Sequence, residues 1–154
     1  MDLPKWELPP VDKIHEAYSA IADNRVMMFD TYALVKSSDY TKEYIIEWDG
    51  DIYSSNDNAS YFQRYLGYPV IAVLMLQRRI SYSPSVASHY KGIRWKTLNT
   101  QYKNKYSKVV EFIMSGFAEN CIDVQQINNE VACVFEQIKS IDIFYRRSTH
   151  RPPK

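Results

Sequence analysis

A chain of 154 residues with 45% hydrophobic and 24% charged side chains fits one globular domain with a real core. Two cysteines, Cys121 and Cys133, are too few and too far apart for a disulfide framework or a metal clip, and they point to a reducing, cytoplasmic compartment. Charges and prolines in the opening MDLPKWELPP speak against a signal peptide, and the longest apolar run, Val70 to Leu76, is far short of the roughly 20 residues that span a bilayer, so no membrane is expected.

Pro4, Pro9 and Pro10 make residues 1–10 an arm whose Trp6 and Leu8 can still dock on the body. Val11, Ile14, His15, Tyr18, Ile21 and Ala22 recur at helical spacing, so a first helix runs to Asn24, a residue suited to a left-handed end. Val26 to Lys36 is rich in strand-favouring residues, and Ser37-Ser38-Asp39 reads as a turn. Alternation in Lys42 to Trp48 puts Tyr44, Ile46 and Trp48 on one face. Asp49-Gly50 fits a two-residue type I′ turn, and Asp51 to Ser54 returns. The expectation is a three-stranded antiparallel meander with its apolar face under the first helix.

Beyond Ser54 the pattern is helical. Ala59 to Leu66 reads as a short helix closed by Gly67. Pro69 opens Val70 to Arg79, which is apolar all round until Gln77 and therefore predicts a buried central helix. Ser83-Pro84 starts another helix that stops at Gly92. Trp95, Leu98, Tyr102, Tyr106, Val109 and Ile113 form one stripe, with an interruption near Asn104 left open. Asp123 caps a last helix in which Val124, Ile127, Val131, Val134, Ile138 and Ile141 keep strict three-four spacing, as a two-helix seam requires, within the fold or across a dimer. Residues 11–145 thus make a single α+β domain, and residues 146–154 a basic, disordered tail.

The distribution of charge is uneven. Asn58 to Val110 contains nine Lys/Arg, nine aromatics and no acid, whereas residues 1–57 carry twelve acids against five Lys/Arg. Basic, aromatic segments suit a phosphate-bearing partner, because cations release counterions and aromatics stack on unpaired bases. Placed on a helix at 100° per residue, the stripe from Trp95 to Ile113 is flanked on both sides by cations, so its aromatics fit a core and its lysines a solvated border. The candidate phosphate contacts are Arg78, Arg79, Lys91, Arg94, Lys96, Lys103, Lys105 and Lys108, with Arg146 and Arg147 auxiliary. The competing reading is that the acidic first third faces this segment within one fold.

Other constellations carry less. A helix, three strands and a helix is also the order of double-stranded-RNA-binding domains, but the start of the second helix reads Asn56-Asp57-Asn58-Ala59-Ser60 where those domains need lysines. Glu47, Asp49, Asp51 and Asp57 crowd the hairpin without EF-hand spacing. His15, His89 and His150 have no ligand spacing, and neither cysteine has a neighbouring base. No Gly-rich phosphate loop or nucleophile elbow occurs. These observations favour a non-enzymatic domain that binds DNA or RNA, with no cofactor, metal or catalytic residue identified. The alternative is a protein–protein or homo-oligomeric module built on the last helix, and an enzyme of unknown chemistry comes third.

Overall fold

The first helix ends where its sequence asks it to. Helix α1 (Asp12–Ala22) gives way at Asn24, which sits at a φ of 54°. The computed structural model describes residues 2–154. Strands β1 (Val26–Met28), β2 (Tyr32–Lys36), β3 (Glu43–Asp49) and β4 (Ile52–Ser55) follow as an antiparallel meander, and β5 (Phe144–Tyr145) joins β4 in parallel at the edge of this five-stranded sheet. The expected first strand is therefore two. The segment from Val26 to Lys36 doubles back at Phe29, whose N–H donates to the Tyr32 carbonyl at 2.8 Å.

The hairpin lies one residue further on than expected. Asp49 pairs with Ile52, so Gly50 and Asp51 are the central pair. Of the two only Gly50 has a positive φ, at 60°, which is the type II′ pattern rather than type I′. Ala33, Val35 and Ile46 are fully buried, with Tyr44 and Trp48 packed beside them.

Helix α2 (Tyr68–Leu76) is the central element, as its unbroken apolar run requires. It packs on β1 and β3 with one side and on α1 with the other, so α1 meets the sheet chiefly through α2. Each fully buried side chain such as Ile71 or Leu74 contributes about 1.5–3 kcal/mol of transfer free energy. In place of the expected helix to Leu66 there is a π-helical turn (Ala59–Gln63), closed by Arg64 at a φ of 63°. Gly67 serves another purpose: a Cβ there would lie 2.0 Å from Asp57 Oδ2, so only a glycine admits the buried Asp57 carboxylate.

Helix α3 (Pro84–Ser88) is capped by Ser83 Oγ, which accepts from the Val86 N–H at 3.1 Å. The long stripe resolves into two helices, α4 (Trp95–Gln101) and α5 (Tyr106–Glu119). Lys103 and Asn104, at φ 55° and 61°, break it. Asp123 caps α6 (Val124–Ser140), and the Ile127, Val131, Val134 and Ile138 stripe is buried. Helix α6 packs on α1 and α5, so its spacing is satisfied within the chain. Glu130 fastens it there, accepting from Tyr18 Oη at 2.6 Å and from the Ser83 N–H at 3.0 Å.

The arm docks through Trp6 Nε1, which donates to the Phe144 carbonyl at 3.0 Å, and through Glu7 N–H to the Arg64 carbonyl. Residues 146–154, expected as a disordered tail, run along the sheet. Asn56 Nδ2 donates to the Arg151 carbonyl at 3.1 Å, Ser148 is buried, and His150 Nε2 stands 3.5 Å from Glu47. Among the described residues no helix is long and apolar enough to cross a membrane.

Candidate functional site

The acid-free segment does not form one face. Arg79 reaches the hairpin tip, where its guanidinium bonds Asp51 at 2.7 Å and Tyr53 Oη at 3.2 Å. Lys96 goes to the β2–β3 loop and pairs with Asp39 at 3.0 Å. These sites cap opposite ends of β3, whose seven residues span about 23 Å at ~3.3 Å each. Hydrogen bonds from Thr41 and Ser37 hold the Asp39 carboxyl well below the usual carboxylate range, so it is a permanent counter-charge. Lys108 stands 3.8 Å from Glu111, one turn along α5.

The other cations differ. Among the described residues Arg78, Lys91, Arg94, Lys103 and Lys105 are exposed and have no acid within 4.0 Å. Arg78 stands apart, at the C-terminal end of α2. Lys91 and Arg94 precede α4 and Lys103 and Lys105 follow it, so a helix about 10 Å long, at 1.5 Å per residue, lies between the two pairs. Arg94 also shares a shallow cleft with Asp39 and Lys96. Arg146 and Arg147 are elsewhere: both line a groove with Glu47, Trp48 and Asp49, and Arg147 lies 4.1 Å over the Tyr61 ring.

The singled-out aromatics divide as well. Trp95 is core, 3% exposed, with Nε1 donating to Ser19 Oγ at 2.7 Å. Tyr102 and Tyr106 are half-buried. The acids of the hairpin scatter, with Asp51 on Arg79, Glu47 beside His150 and Asp57 behind Gly67. His15 is buried against Tyr90 Oη at 2.7 Å, and burial pushes its pKa down to about 4, so it is neutral. Cys121 and Cys133 are both exposed.

The residue that sequence reasoning missed is Glu16. Every residue of α1 from Ile14 to Ala20 is buried, and Glu16 is only 7% exposed. Its carboxylate accepts no hydrogen bond from any described residue; its nearest cation, Lys13 Nζ, is 3.9 Å away. Burial raises its pKa, and the charges of Lys13 and Arg25 oppose that rise. Arg25 is itself buried: Nη1 donates to the Lys36 carbonyl at 2.7 Å, while Nε has no hydrogen-bond acceptor. Asp23 stands 3.6 Å from that Nε, so Arg25 is ion-paired, whereas Glu16 keeps only the long contact to Lys13 and leaves its oxygens open to a donor.

Glu16 opens onto a cavity of about 350 Å³ between α1, the β2–β3 loop and the α4–α5 break. Tyr44, Tyr68, Trp95 and Tyr106 wall it. Asn58, Asn99 and Asn104 add amides, and Asn99 Oδ1 is buried with no donor. Lys42 and Lys96 stand among its lining residues. Burial pushes the Tyr44 hydroxyl up to about 12 and raises that of Tyr68 further, so both keep their protons and can donate. No signal marked Glu16 in the sequence, because the face it occupies is covered by segments that arrive later in the chain.

No curated protein and no solved structure matches the chain. Residues 6–144 match the family described as uncharacterised conserved protein UCP014422, and the chain belongs to that family.

Proposed function

We propose that this protein is a non-enzymatic binding domain that contacts a polyanion, nucleic acid, through the basic edge around α4. Lys91, Arg94, Lys103 and Lys105 carry the reading: all are exposed, none has an acid partner among the described residues, and they flank one short helix. Lys96 and Lys108 border this edge with their charges partly answered by Asp39 and Glu111. Contacts of this kind bind phosphates without reading sequence. Four such contacts on a single strand give a log–log salt slope near −2.8, or about fiftyfold weaker binding between 50 and 200 mM salt.

The test is binding of single- and double-stranded DNA and RNA at those two salt concentrations, with a variant in which Lys91, Arg94, Lys103 and Lys105 are all changed to Gln. Salt-dependent binding that the variant loses supports the reading. Absence of binding at 50 mM salt, or a variant with an unchanged slope, overturns it.

A protein–protein module is the second reading. What favours it is the sheet edge rather than the last helix: Met27, Met28, Phe29 and Tyr32 are exposed on and beside the edge strand β1. Light scattering across a concentration series tests self-association through that edge, and a monomer throughout counts against it.

A further inference from the structure

We propose that the cavity over Glu16 is a nucleobase pocket that takes the Watson–Crick edge of a guanine, with the phosphate of the same nucleotide on the lysine rim. The phosphate half rests on the polyanion reading; the base half stands on the cavity alone.

Three features select the ligand. Glu16 supplies two carboxylate oxygens that accept no hydrogen bond from the described residues and have only Lys13, at 3.9 Å, as an ion-pair partner, so they suit a paired donor. The half-buried aromatic rings Tyr44, Tyr68 and Tyr106 suit a flat heterocycle rather than a sugar or an alkyl amine. Lys42 and Lys96 also line the cavity, which disfavours a cationic guest and favours one whose far end is anionic. Among the bases only guanine sets two N–H donors side by side, N1–H and the N2 amino group, in the spacing that a carboxylate accepts. Adenine and cytosine offer one donor beside an acceptor at that edge, and uracil offers one donor between two acceptors. An acceptor facing Glu16 would add repulsion to the lost hydrogen bond.

Asn99 also lines the cavity, but its Oδ1 is closed to solvent and plays no part in the choice of ligand. A volume of about 350 Å³ is within the range of small-molecule sites.

Calorimetric titration of the full chain with guanosine, GMP, AMP, CMP and UMP tests the proposal. Guanosine and GMP should bind, GMP more tightly and with salt dependence, and the other nucleotides should bind on the order of 10- to 100-fold more weakly, the discrimination expected of one bidentate base contact. Glu16→Gln, which replaces one acceptor oxygen by a donor, should erase that ranking. Equal binding of all four nucleotides, or no binding of guanosine and GMP, overturns the pocket. The wild-type ranking needs no variant, so a poorly folding Glu16→Gln leaves the test intact. A guanine-containing oligonucleotide distinguishes a free nucleotide from an unpaired base in a strand. Salt-dependent oligonucleotide binding without base preference sinks the pocket and spares the polyanion reading. Glu16-dependent guanosine binding beside salt-independent oligonucleotide binding does the reverse.

Discussion

Gly67→Ala isolates a single steric contact. The backbone at Gly67 has φ −70° and ψ 163°, which alanine adopts freely, so the substitution carries no conformational penalty. It even restricts the unfolded chain, a gain of about 0.4–1 kcal/mol. The obstacle is Asp57: the new methyl would lie 2.0 Å from Oδ2 and 2.7 Å from Cγ. Carbon and oxygen do not approach below about 3 Å, so the carboxylate must retreat by an ångström or more. That carboxylate is buried and accepts from Ser55 Oγ and from the Ser60 N–H, at 3.1 Å for the latter. Overpacking costs about 1–3 kcal/mol, and a weakened hydrogen bond to a charged group adds about 1.5–3. After the unfolded-state gain the net loss is about 3 kcal/mol, a fall of about 6–12 °C in Tm for a chain of this size. Urea and thermal unfolding followed by circular dichroism measure it. In an Asp57→Ala background the obstructing atoms are gone, and the same glycine substitution should cost less than about 1 kcal/mol. A loss under about 1 kcal/mol in the wild type, or equal losses in both backgrounds, refutes the reasoning.

Other outcomes follow from the same contacts. His15 has a folded pKa of about 4 against an ordinary 6.5, so the native state binds fewer protons between those values. Its contribution is therefore present above pH 6.5 and lost as the pH falls toward 4, by up to about 3 kcal/mol, and His15→Gln should flatten that limb of a pH-dependent unfolding series. Glu130→Ala leaves Tyr18 Oη and the Ser83 N–H without their acceptor and should cost about 2–4 kcal/mol in urea unfolding, with Glu130→Gln milder because it retains an acceptor. Lys96→Ala breaks an exposed pair with Asp39 and should change stability by less than about 1 kcal/mol in the same assay. Leu74→Ala, at a fully buried position of α2, should cost about 2–5 kcal/mol, and a smaller loss would deny α2 its central place.

The periodic and punctuated segments were legible. Helical spacing carried α1 and α6, the apolar run carried α2, and Asn24, Ser83 and Asp123 marked helix ends through local hydrogen-bonding chemistry that needs no tertiary partner. What failed depends on partners remote in sequence. The strand β5 pairs with β4 across some ninety residues, so two-residue Phe144–Tyr145 carries no local signal. By sequence Gly67 is a helix stop, whereas its reason in the fold is the approach of Asp57 from the other side of the π-helical turn. Lys103 and Asn104 take left-handed conformations at the α4–α5 break, which spacing alone could not decide against one continuous helix.

The candidate site was the least legible part, and the reason is geometric. On α1, Glu16 lies about 200° around the helix from Ile14 and from Tyr18, on the side that an amphipathic reading gives to solvent. That side is covered by residues 37–44 and 95–106, which come from the β2–β3 loop and the α4–α5 break. The same covering explains the fate of the acid-free segment. Its lysines and arginines are not one surface in search of a partner, because Asp51 and Asp39 meet Arg79 and Lys96 at opposite ends of β3. The acidic first third thus answers part of the basic middle. It leaves unanswered the cations on either side of α4, beside a cavity whose buried Glu16 carboxylate has Lys13 at 3.9 Å and no hydrogen bond from the described residues. An acceptor without hydrogen bonds inside the cavity and exposed cations outside it are what the proposed nucleotide would use, through donors on its base and charge on its phosphate. The basic edge by itself would serve any polyanion, so the choice among bases falls to the cavity.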